Sequence, residues 1–260
     1  MELLKTSEVS INFGGLWAVD RVDFSVCRGE IVGLIGPNGS GKTTFFNLVS
    51  GIYKPTRGSI VFKGRDISGL PAYEVKRMGI SRTFQSSRLC WNLSVLDNVL
   101  IGLYARQRTG WYDAIFKPRI SNAELERSIE ISVEFLRYFN EDLIDRRYER
   151  VRNIPHIDRR RIEICRALVS DPELLLLDEP SAGLNPQETM EMMDDIGRIR
   201  ERNKDISIVI IEHDMDVISE VTERVVVFNA GTKIAEGTFS EISRNEEVIR
   251  AYLGGEATAC

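Results

Sequence analysis

The chain has 260 residues, of which 43% are hydrophobic and 28% are charged, and its formal net charge is −5. This composition is typical of a folded globular protein and excludes a disordered or collagen-like chain, while the acidic balance excludes a global basic footprint for nucleic acid. The apolar runs are strand-sized, well short of the roughly 18 residues of a membrane span, and no secretory signal is visible, so we expect an intracellular protein without a span.

The first 85 residues predict strands, a glycine-rich turn and a helix. Two stretches of mixed apolar and polar residues flank the turn Gly14-Gly15, as expected for paired strands. A short apolar strand then runs directly into a second glycine-rich turn and a helix-like segment. The predicted elements are strands at residues 3–13, 18–26, 30–36 and 58–63, and helices at residues 43–50 and 71–78.

The character of the sequence changes between residues 86 and 170. Apolar residues such as Leu125 and Ile129 recur there at helical spacing, and clear strands are missing. Apolar strands then return, alternating with helices, which indicates a largely parallel sheet. The predicted elements are strands at 173–178, 206–212, 224–229 and 233–236, a helix at 186–202 and two terminal helical pieces. We therefore predict an α/β fold with a core at 1–85 and 171–253, an inserted helical subdomain at 86–170 and a frayed tail at 254–260.

Residues 36–43 (Gly-Pro-Asn-Gly-Ser-Gly-Lys-Thr) form the strongest motif in the chain. They fit the phosphate loop G-x-x-x-x-G-K-[ST] and lie between a strand and a helix, as that motif requires. The glycines let backbone N–H groups converge on phosphate oxygens, and the positive end of the helix adds to the attraction. We expect Lys42 to reach the β- and γ-phosphates and Thr43 to bind Mg²⁺ through its hydroxyl. A glycine-rich turn that binds nothing would leave Lys-Thr at this register unexplained.

Four further polar residues lie at the ends or boundaries of predicted elements. Asp178 and Glu179 follow an apolar strand, where the aspartate can hold Mg²⁺ and the glutamate can orient and deprotonate a water. His213 follows the next apolar strand. Alone it would be a structural cap, but beside Glu179 it can contact the γ-phosphate. Gln85 lies where the core gives way to the helical stretch, and alone it would be an ordinary polar residue.

These elements, in this order and spacing, resemble the ATP-binding subunits of ABC transporters over nearly the whole chain. Gln85, His213 and residues 181–185 match that family's Q-loop, switch histidine and D-loop. The resemblance implies a P-loop NTPase core of ABC ATPase type with an N-terminal antiparallel β region and a helical subdomain, and ATP and Mg²⁺ as cofactors. It implies catalytic Glu179, His213 and Gln85, a metal site at Thr43, Gln85 and Asp178, and a nucleotide site at Phe13 (stacked on adenine), Gly36, Pro37, Asn38, Gly39, Ser40, Gly41, Lys42, Thr43 and Thr44.

Further stretches narrow the resemblance to importer ATPases for branched-chain amino acids. They include residues 13–15 (Phe-Gly-Gly), 212–215 (Glu-His-Asp-Met) and 248–254 (Val-Ile-Arg-Ala-Tyr-Leu-Gly), with an insertion at 106–120. The resemblance implies transmembrane permease subunits and a second ATP-binding subunit, either a copy or a paralogue, as partners, and no nucleic acid. It also implies a peripheral position at the cytoplasmic face of the inner membrane, with residues 86–98 as the permease contact. The alternatives are a regulatory nucleotide-binding subunit with little turnover, a soluble non-transport ABC ATPase, or a related cargo such as urea.

One motif of the family is altered. The signature, ordinarily Leu-Ser-Gly-Gly-Gln, aligns with residues 154–158 (Ile-Pro-His-Ile-Asp), ahead of a helix predicted at 159–169. In the family, the signature of one subunit caps the nucleotide held by the other. We expect Pro155 to remove a hydroxyl and an N–H, Ile157 to obstruct close approach and Asp158 to repel the phosphates. These changes predict weak ATPase activity for the isolated chain.

Overall fold

The computed structural model describes residues 1–107 and 109–254. Most of the predicted tail, residues 255–260, lies outside the described residues. The strands are β1 (Glu2–Phe13), β2 (Leu16–Cys27), β3 (Ile31–Ile35), β4 (Arg57–Phe62), β5 (Arg65–Asp66), β6 (Ile80–Arg82), β7 (Leu174–Asp178), β8 (Ser207–Ile211), β9 (Arg224–Asn229) and β10 (Thr232–Gly237).

Helices connect these strands and fill the stretch between β6 and β7. They are α1 (Lys42–Val49), α2 (Ala72–Met78), α3 (Val95–Leu100), α4 (Trp111–Phe116), α5 (Pro118–Phe139), α6 (Asp142–Asp145), α7 (His156–Leu168), α8 (Pro186–Arg202), α9 (Met215–Val221), α10 (Phe239–Ile242) and α11 (Glu246–Gly254), with 3₁₀ turns at Ile101–Arg106 and Val151–Asn153. Among the described residues, no helix combines the length and the apolar character that crossing a membrane requires.

Two sheets build the α/β part of the described chain. The first has the order β2-β1-β4-β5 and is antiparallel throughout. The second has the order β10-β9-β3-β8-β7-β6, and its strands are parallel except for the β9–β10 hairpin. The predicted mixed, largely parallel sheet is therefore confirmed, because strands joined by helices return in the same direction.

The core sheet buries a different set of side chains on each face. On one face, Val32 and Leu34 of β3 pack with α1 and with the antiparallel sheet. On the other, Ile31 and Ile35 pack with the helical stretch and with α8. Alternate residues of a strand point to opposite faces, so the same strand serves both cores. This packing explains why β3, β7 and β8 are buried along their whole length.

The structure adds two strands that the sequence pattern does not predict, β5 and β6, and β6 bears on the site. β6 has three residues and pairs in parallel with β7, with Arg82 opposite Leu176. Its sequence, Ile-Ser-Arg, carries too short an apolar pattern to be recognised. Its position at the sheet edge nevertheless fixes where the chain continues into Gln85.

Candidate functional site

The site lies at the carboxyl edge of the core sheet. β3 is followed by the phosphate loop, β7 ends in Asp178, β8 is followed by His213, and β6 leads to Gln85. These four strands are parallel neighbours in the order β3-β8-β7-β6, so their carboxyl ends meet at one edge. Open α/β sheets bind their ligands at such an edge. The phosphate loop, Gln85, Glu179 and His213, which are far apart in sequence, are thereby brought to one cleft.

At two positions the phosphate loop has no room for a Cβ atom and therefore requires glycine. A Cβ at Gly36 would lie 2.1 Å from the Phe228 carbonyl oxygen, and a Cβ at Gly41 would lie 2.4 Å from the Ala18 carbonyl oxygen. Both glycines also have positive φ angles, a conformation that side chains disfavour. Gly41 leads directly into α1, whose first turn carries neither a side-chain cap nor an acidic residue. Its backbone N–H groups are therefore available to an anion.

Lys42 lies folded over the phosphate loop. Its ammonium group donates to the Gly36 carbonyl at 2.7 Å and the Pro37 carbonyl at 3.0 Å, with a longer contact of 3.4 Å to the Ser40 hydroxyl. Burial lowers the pKa of Lys42, and the charges of Glu179 and Asp178 oppose that shift. An ammonium has three protons and two are used in short bonds. The third, in the weakest contact, can turn to a phosphate without breaking the loop.

Asp178 is buried and paired on one side only. Its Oδ2 accepts a hydrogen bond of 2.6 Å from Arg82, while Oδ1 is buried with no hydrogen-bond partner in the described part of the chain. Burial raises the pKa of Asp178, and Arg82 counteracts this. An orphaned carboxylate oxygen is a fitting ligand for a hard cation, directly or through water. With the exposed Thr43 hydroxyl on the cleft, the residues present fit Mg²⁺ bound together with phosphates.

Glu179 is held between two polar side chains. Its Oε1 lies 2.6 Å from Nε2 of His213, and its Oε2 accepts a hydrogen bond of 2.7 Å from Nε2 of Gln85. The side chain is largely buried but borders the cleft. A carboxylate with both oxygens anchored beside a phosphate site can orient a water and accept its proton.

The cleft itself has a volume of about 500 Å³. Its lining includes Gln85, Glu179 and His213 together with residues of the phosphate loop. Leu16 and Trp17 of β2 are among its apolar lining residues. Phe13, expected from the resemblance to stack on adenine, lies apart from this lining and packs edge-on against Tyr53, with ring centroids 5.4 Å apart. Of the predicted site residues, the described lining lacks Phe13 and also Gly36, Pro37 and Asp178.

Arg160 joins three parts of the site and is a residue that the sequence reasoning missed. Its guanidinium donates to the Gln85 carbonyl at 3.0 Å, to the Ala182 carbonyl at 3.2 Å and, more weakly, to the Phe84 carbonyl at 3.4 Å. Glu163, one turn along α7, balances its charge at 3.1 Å. Only its place in a basic run was visible in sequence, because its partners are 75 and 22 residues away.

Arg82 and Glu212 were also missed. Arg82 supplies the charge that faces Asp178, and its guanidinium is almost fully buried. Glu212 is buried, accepts a hydrogen bond of 2.8 Å from the Ser181 N–H, and so links the end of β8 to the loop after Glu179. Burial raises the pKa of Glu212, and the bonds from Ser181 oppose this. Nothing in the spacing of these residues marks them as part of the site.

Two of the three defects predicted for residues 154–158 are wrong. Ile157 does not project toward a nucleotide, because it is 8% exposed and packs in the core. Asp158 is buried too, where its Oδ1 accepts hydrogen bonds of 3.1 Å from both Arg161 and Asn140. Its charge is therefore compensated within the chain and does not repel a phosphate. The loss of the serine at Pro155 is the change that remains.

The helix after this loop also begins earlier than predicted. α7 begins at His156, three residues before the expected start, with the exposed Pro155 as its N-cap. The first hydrogen bond of the helix runs from the Arg159 N–H to the Pro155 carbonyl. The N–H groups of the preceding first turn are thus left for another acceptor.

Comparisons with known proteins agree with this architecture. A family model described as ABC transporter matches residues 19–182, and a second, described as branched-chain amino acid ATP-binding cassette transporter, matches residues 232–258. The chain is 41% identical over 253 residues to the high-affinity branched-chain amino acid transport ATP-binding protein LivG of Salmonella typhimurium, covering 97% of this chain and 98% of the relative. It is 37% identical, with the same coverage, to the corresponding protein BraF of Pseudomonas aeruginosa.

Solved structures extend the likeness to three dimensions. A nucleotide-free ATP-binding cassette from an ABC transporter superposes with a TM-score of 0.83 at 28% identity, covering 97% of this chain and 99% of that one. The ADP conformation of an ATP-binding cassette gives 0.82 at 27% identity, covering 98% and 99%. The phosphate loop, the carboxylates at the end of β7 and these full-length matches lead to one conclusion: the chain belongs to the ABC transporter family and is an ATPase of its ATP-binding cassette type.

Proposed function

We propose that this chain binds MgATP in the cleft and hydrolyses it as the ATP-binding subunit of an importer for branched-chain amino acids. The observation that carries the proposal is the placement of Glu179 between Gln85 and His213, on the cleft that the phosphate loop also lines. The cargo rests on the names of relatives such as LivG and BraF, which are similar along almost the whole chain.

The chain's own residues divide the chemistry among them. Lys42 and the N–H groups at the start of α1 bind the phosphates, and Thr43 and the free oxygen of Asp178 would hold Mg²⁺. When bound, Mg²⁺ neutralises phosphate charge. Glu179 orients the attacking water and accepts its proton, and His213 keeps the carboxylate turned to the cleft. Gln85 contacts Glu179, and we propose it as a further ligand near the metal.

The transmembrane partners are part of the same proposal. A transporter subunit needs a surface for its permease, and the stretch before α3 offers Trp91 (43% exposed) and Leu93 (41% exposed) close in sequence to Gln85. Arg159 at the start of α7 stacks on Trp91 at 5.2 Å. A permease segment that moves against Trp91 and Leu93 would therefore displace both the Gln85 segment and α7. We place the chain at the cytoplasmic face of the membrane through this contact, with residues 86–170 as the docking subdomain.

A second ATP-binding subunit completes the proposed assembly. Pro155 lacks the hydroxyl that the family's signature offers to the nucleotide of the opposite subunit, whereas the phosphate loop, Asp178, Glu179 and His213 are complete. This favours a heterodimer in which a paralogue with an intact signature activates the site of this chain. A regulatory subunit with little turnover of its own is the second candidate, and the same proline supports it.

Reconstitution tests the function directly. The chain, its candidate permease subunits and a paralogue are placed in vesicles, and ATP-driven uptake of labelled leucine, isoleucine and valine is measured beside urea. Lys42→Ala should abolish tight ATP binding and uptake, because it removes the side-chain cation on the phosphates. Lys204→Ala, at an exposed lysine, should leave both unchanged. Uptake of urea alone would overturn the cargo, and near-normal ATP binding by Lys42→Ala would overturn the phosphate site.

A further inference from the structure

A short aromatic helix projects from the helical stretch of the chain. α4 contains no buried residue, and Trp111, Tyr112, Ile115 and Phe116 are 77%, 54%, 64% and 63% exposed. These four residues, here called the aromatic patch, form two pairs spaced by four residues, which places them on one side of the helix. A contiguous exposed apolar surface of this kind indicates an interaction site.

The rings of the aromatic patch contact one another. Tyr112 packs on Phe116 with ring centroids 4.6 Å apart, and Trp111 meets Tyr112 edge-on at 6.1 Å. α4 rests mainly on α5. The rings therefore pack on one another and face outward, and they contribute little to the core.

The sequence segment that carries the patch is basic in an otherwise acidic chain. Residues 104–120 hold four basic residues and one acidic residue, whereas the whole chain has a net charge of −5. Lys117 forms a 3.2 Å ion pair with Asp113, and Arg106 forms one of 3.6 Å with Asp171. Both pairs are solvent-exposed, so they are weak and can exchange partners. Basic residues flanking Trp, Tyr and Phe are the combination found in segments that lie in a membrane interface.

The location of the patch argues against other occupants. None of its four residues lines the cleft at the phosphate loop, so a nucleotide does not cover them. If two copies of this chain met through their aromatic patches, two basic surfaces would come together, which is unfavourable. An anionic surface complements the charge and accepts the rings.

We propose that the aromatic patch inserts into the headgroup region of an anionic lipid bilayer. Trp111 and Phe116 supply the apolar contact, and Lys117 and Arg119 supply the attraction to lipid phosphates. This goes beyond the proposed function, in which the permease alone brings the chain to the membrane. It gives the subunit a second, direct contact with the bilayer that hosts its permease.

Vesicle binding by the purified full chain tests this. Sedimentation with phosphatidylcholine vesicles containing phosphatidylglycerol should show binding, and vesicles of phosphatidylcholine alone should bind more weakly. Added salt should reduce binding, because it screens the attraction. The double variant Trp111→Ser, Phe116→Ser should lower the partition coefficient at least about tenfold, since two apolar contacts are lost. Tyr148→Ser, at an aromatic residue that is 70% exposed outside the patch, should bind as the unaltered chain does.

A spectroscopic readout locates the contact. Lipids brominated on the acyl chain should quench Trp111 fluorescence, and Trp111→Phe should remove that quenching while retaining most of the binding. No binding to anionic vesicles, or equal binding by the double variant, would overturn the proposal. So would a double variant that loses only its association with the permease in detergent, because the patch would then be a protein contact. ATP binding is measured in parallel, so that a failure here leaves the proposed function separately testable.

Discussion

Glu179 combines an unusual backbone conformation with a carboxylate that is anchored beside the cleft. Its φ angle is +50°, in the left-handed region that residues other than glycine rarely adopt. Such a conformation costs about 1–3 kcal/mol and persists only when the surroundings impose it. Backbone hydrogen bonds hold Glu179 in place, from its N–H to the Ile211 carbonyl at 3.0 Å and from the Ala182 N–H to its carbonyl at 3.1 Å, while His213 and Gln85 hold the two carboxylate oxygens. A strained, doubly anchored carboxylate bordering the cleft is what we expect of a group kept for its reactivity.

Replacing this carboxylate with an amide tests its role. Glu179→Gln keeps the shape of the side chain but removes the basicity, so ATP should bind as before while hydrolysis slows by at least about 10²-fold. Single-turnover hydrolysis in the complex with the partner subunit measures the effect, and nucleotide titration measures binding. Glu201→Gln, at an exposed residue, is the matched control. Unchanged turnover of Glu179→Gln would exclude Glu179 as the base.

The sequence predicted the candidate reactive residues but not the side chains that support them. The phosphate loop and the pair Asp178-Glu179 were recognisable because the chemistry demands those residue types at fixed spacing. Arg82 and Arg160 were not, because their bonds cross 96 and 75 residues of chain and depend on how the strands are ordered in the sheet. The burial of Ile157 and Asp158 was equally invisible, since a motif alignment does not say which way a side chain points.

At the scale of elements, periodicity was a good guide where strands are long or fully buried. β3, β7 and β8 are continuous apolar runs and were predicted within one or two residues of their bounds. β6 was not predicted, because it forms through its pairing with β7 and its own apolar pattern is too short to show it. The start of α7 was displaced because Pro155 is an unusual N-cap, where serine or aspartate is preferred.

A buried ion cluster fixes α7 against α8. Asp195 is fully buried and accepts a hydrogen bond of 2.7 Å from Nε of Arg161, which also bonds Asp158. Asp195→Ala would leave the Arg161 charge buried with one fewer partner, so the free energy of unfolding should fall by about 3–5 kcal/mol. Asp194→Ala changes the exposed neighbour and should stay within about 0.5 kcal/mol of the unaltered chain. Urea unfolding distinguishes the two, and equal effects would show that the cluster contributes nothing.

A surface cluster joins the antiparallel sheet to the start of β7. Arg28 contacts Glu173 at 2.6 Å, and Lys63 pairs with its other oxygen. Burial alone would raise the pKa of Glu173, but the bonds from Lys63 and Arg28 outweigh it and lower the pKa below its ordinary value of 4.5. A carboxylate whose folded pKa is depressed stabilises the fold above its unfolded pKa, and this contribution is lost as the pH falls through the folded pKa.

The pH dependence of stability tests this cluster. At neutral pH, Glu173→Gln should lower the free energy of unfolding by about 0.5–1 kcal/mol, a modest value because the groups are partly exposed. The difference from the unaltered chain should shrink as the pH falls below 4.5. Glu126→Gln, at an exposed residue on α5, should show no such trend. Denaturant titrations across this range give the answer, and a difference that stays constant with pH would contradict it.

At the scale of the whole molecule, the proposed assembly gives the nucleotide site two halves, one from each subunit. One half is the cleft of this chain, with its phosphate loop and Glu179. The other is the exposed start of α7, which retains the unpaired N–H groups of a helix N-terminus but carries Pro155 where the family has serine. Because Ile157 and Asp158 are turned inward, Pro155 is the one of the three predicted defects that can cause the asymmetry that we propose.

The single substitution Pro155→Ser should therefore restore the half of the nucleotide site that lies at the start of α7. Serine at the N-cap would cap α7 and present a hydroxyl to the phosphates of an opposing subunit, and a single oriented donor at such a site is worth about 10²–10³ in rate. We expect ATPase activity of the isolated chain to rise at least about tenfold, with ATP-driven dimers detectable by size-exclusion chromatography when Glu179→Gln is added. Asn153→Ser, which adds a hydroxyl two residues away on an exposed turn, should change neither.

Ile157→Gly and Asp158→Gln should instead destabilise the fold, because they remove core packing and the partner of Arg161. If the unaltered chain already hydrolyses ATP rapidly by itself and Pro155→Ser leaves that rate unchanged, the asymmetric assembly is wrong and this chain needs no partner with an intact signature.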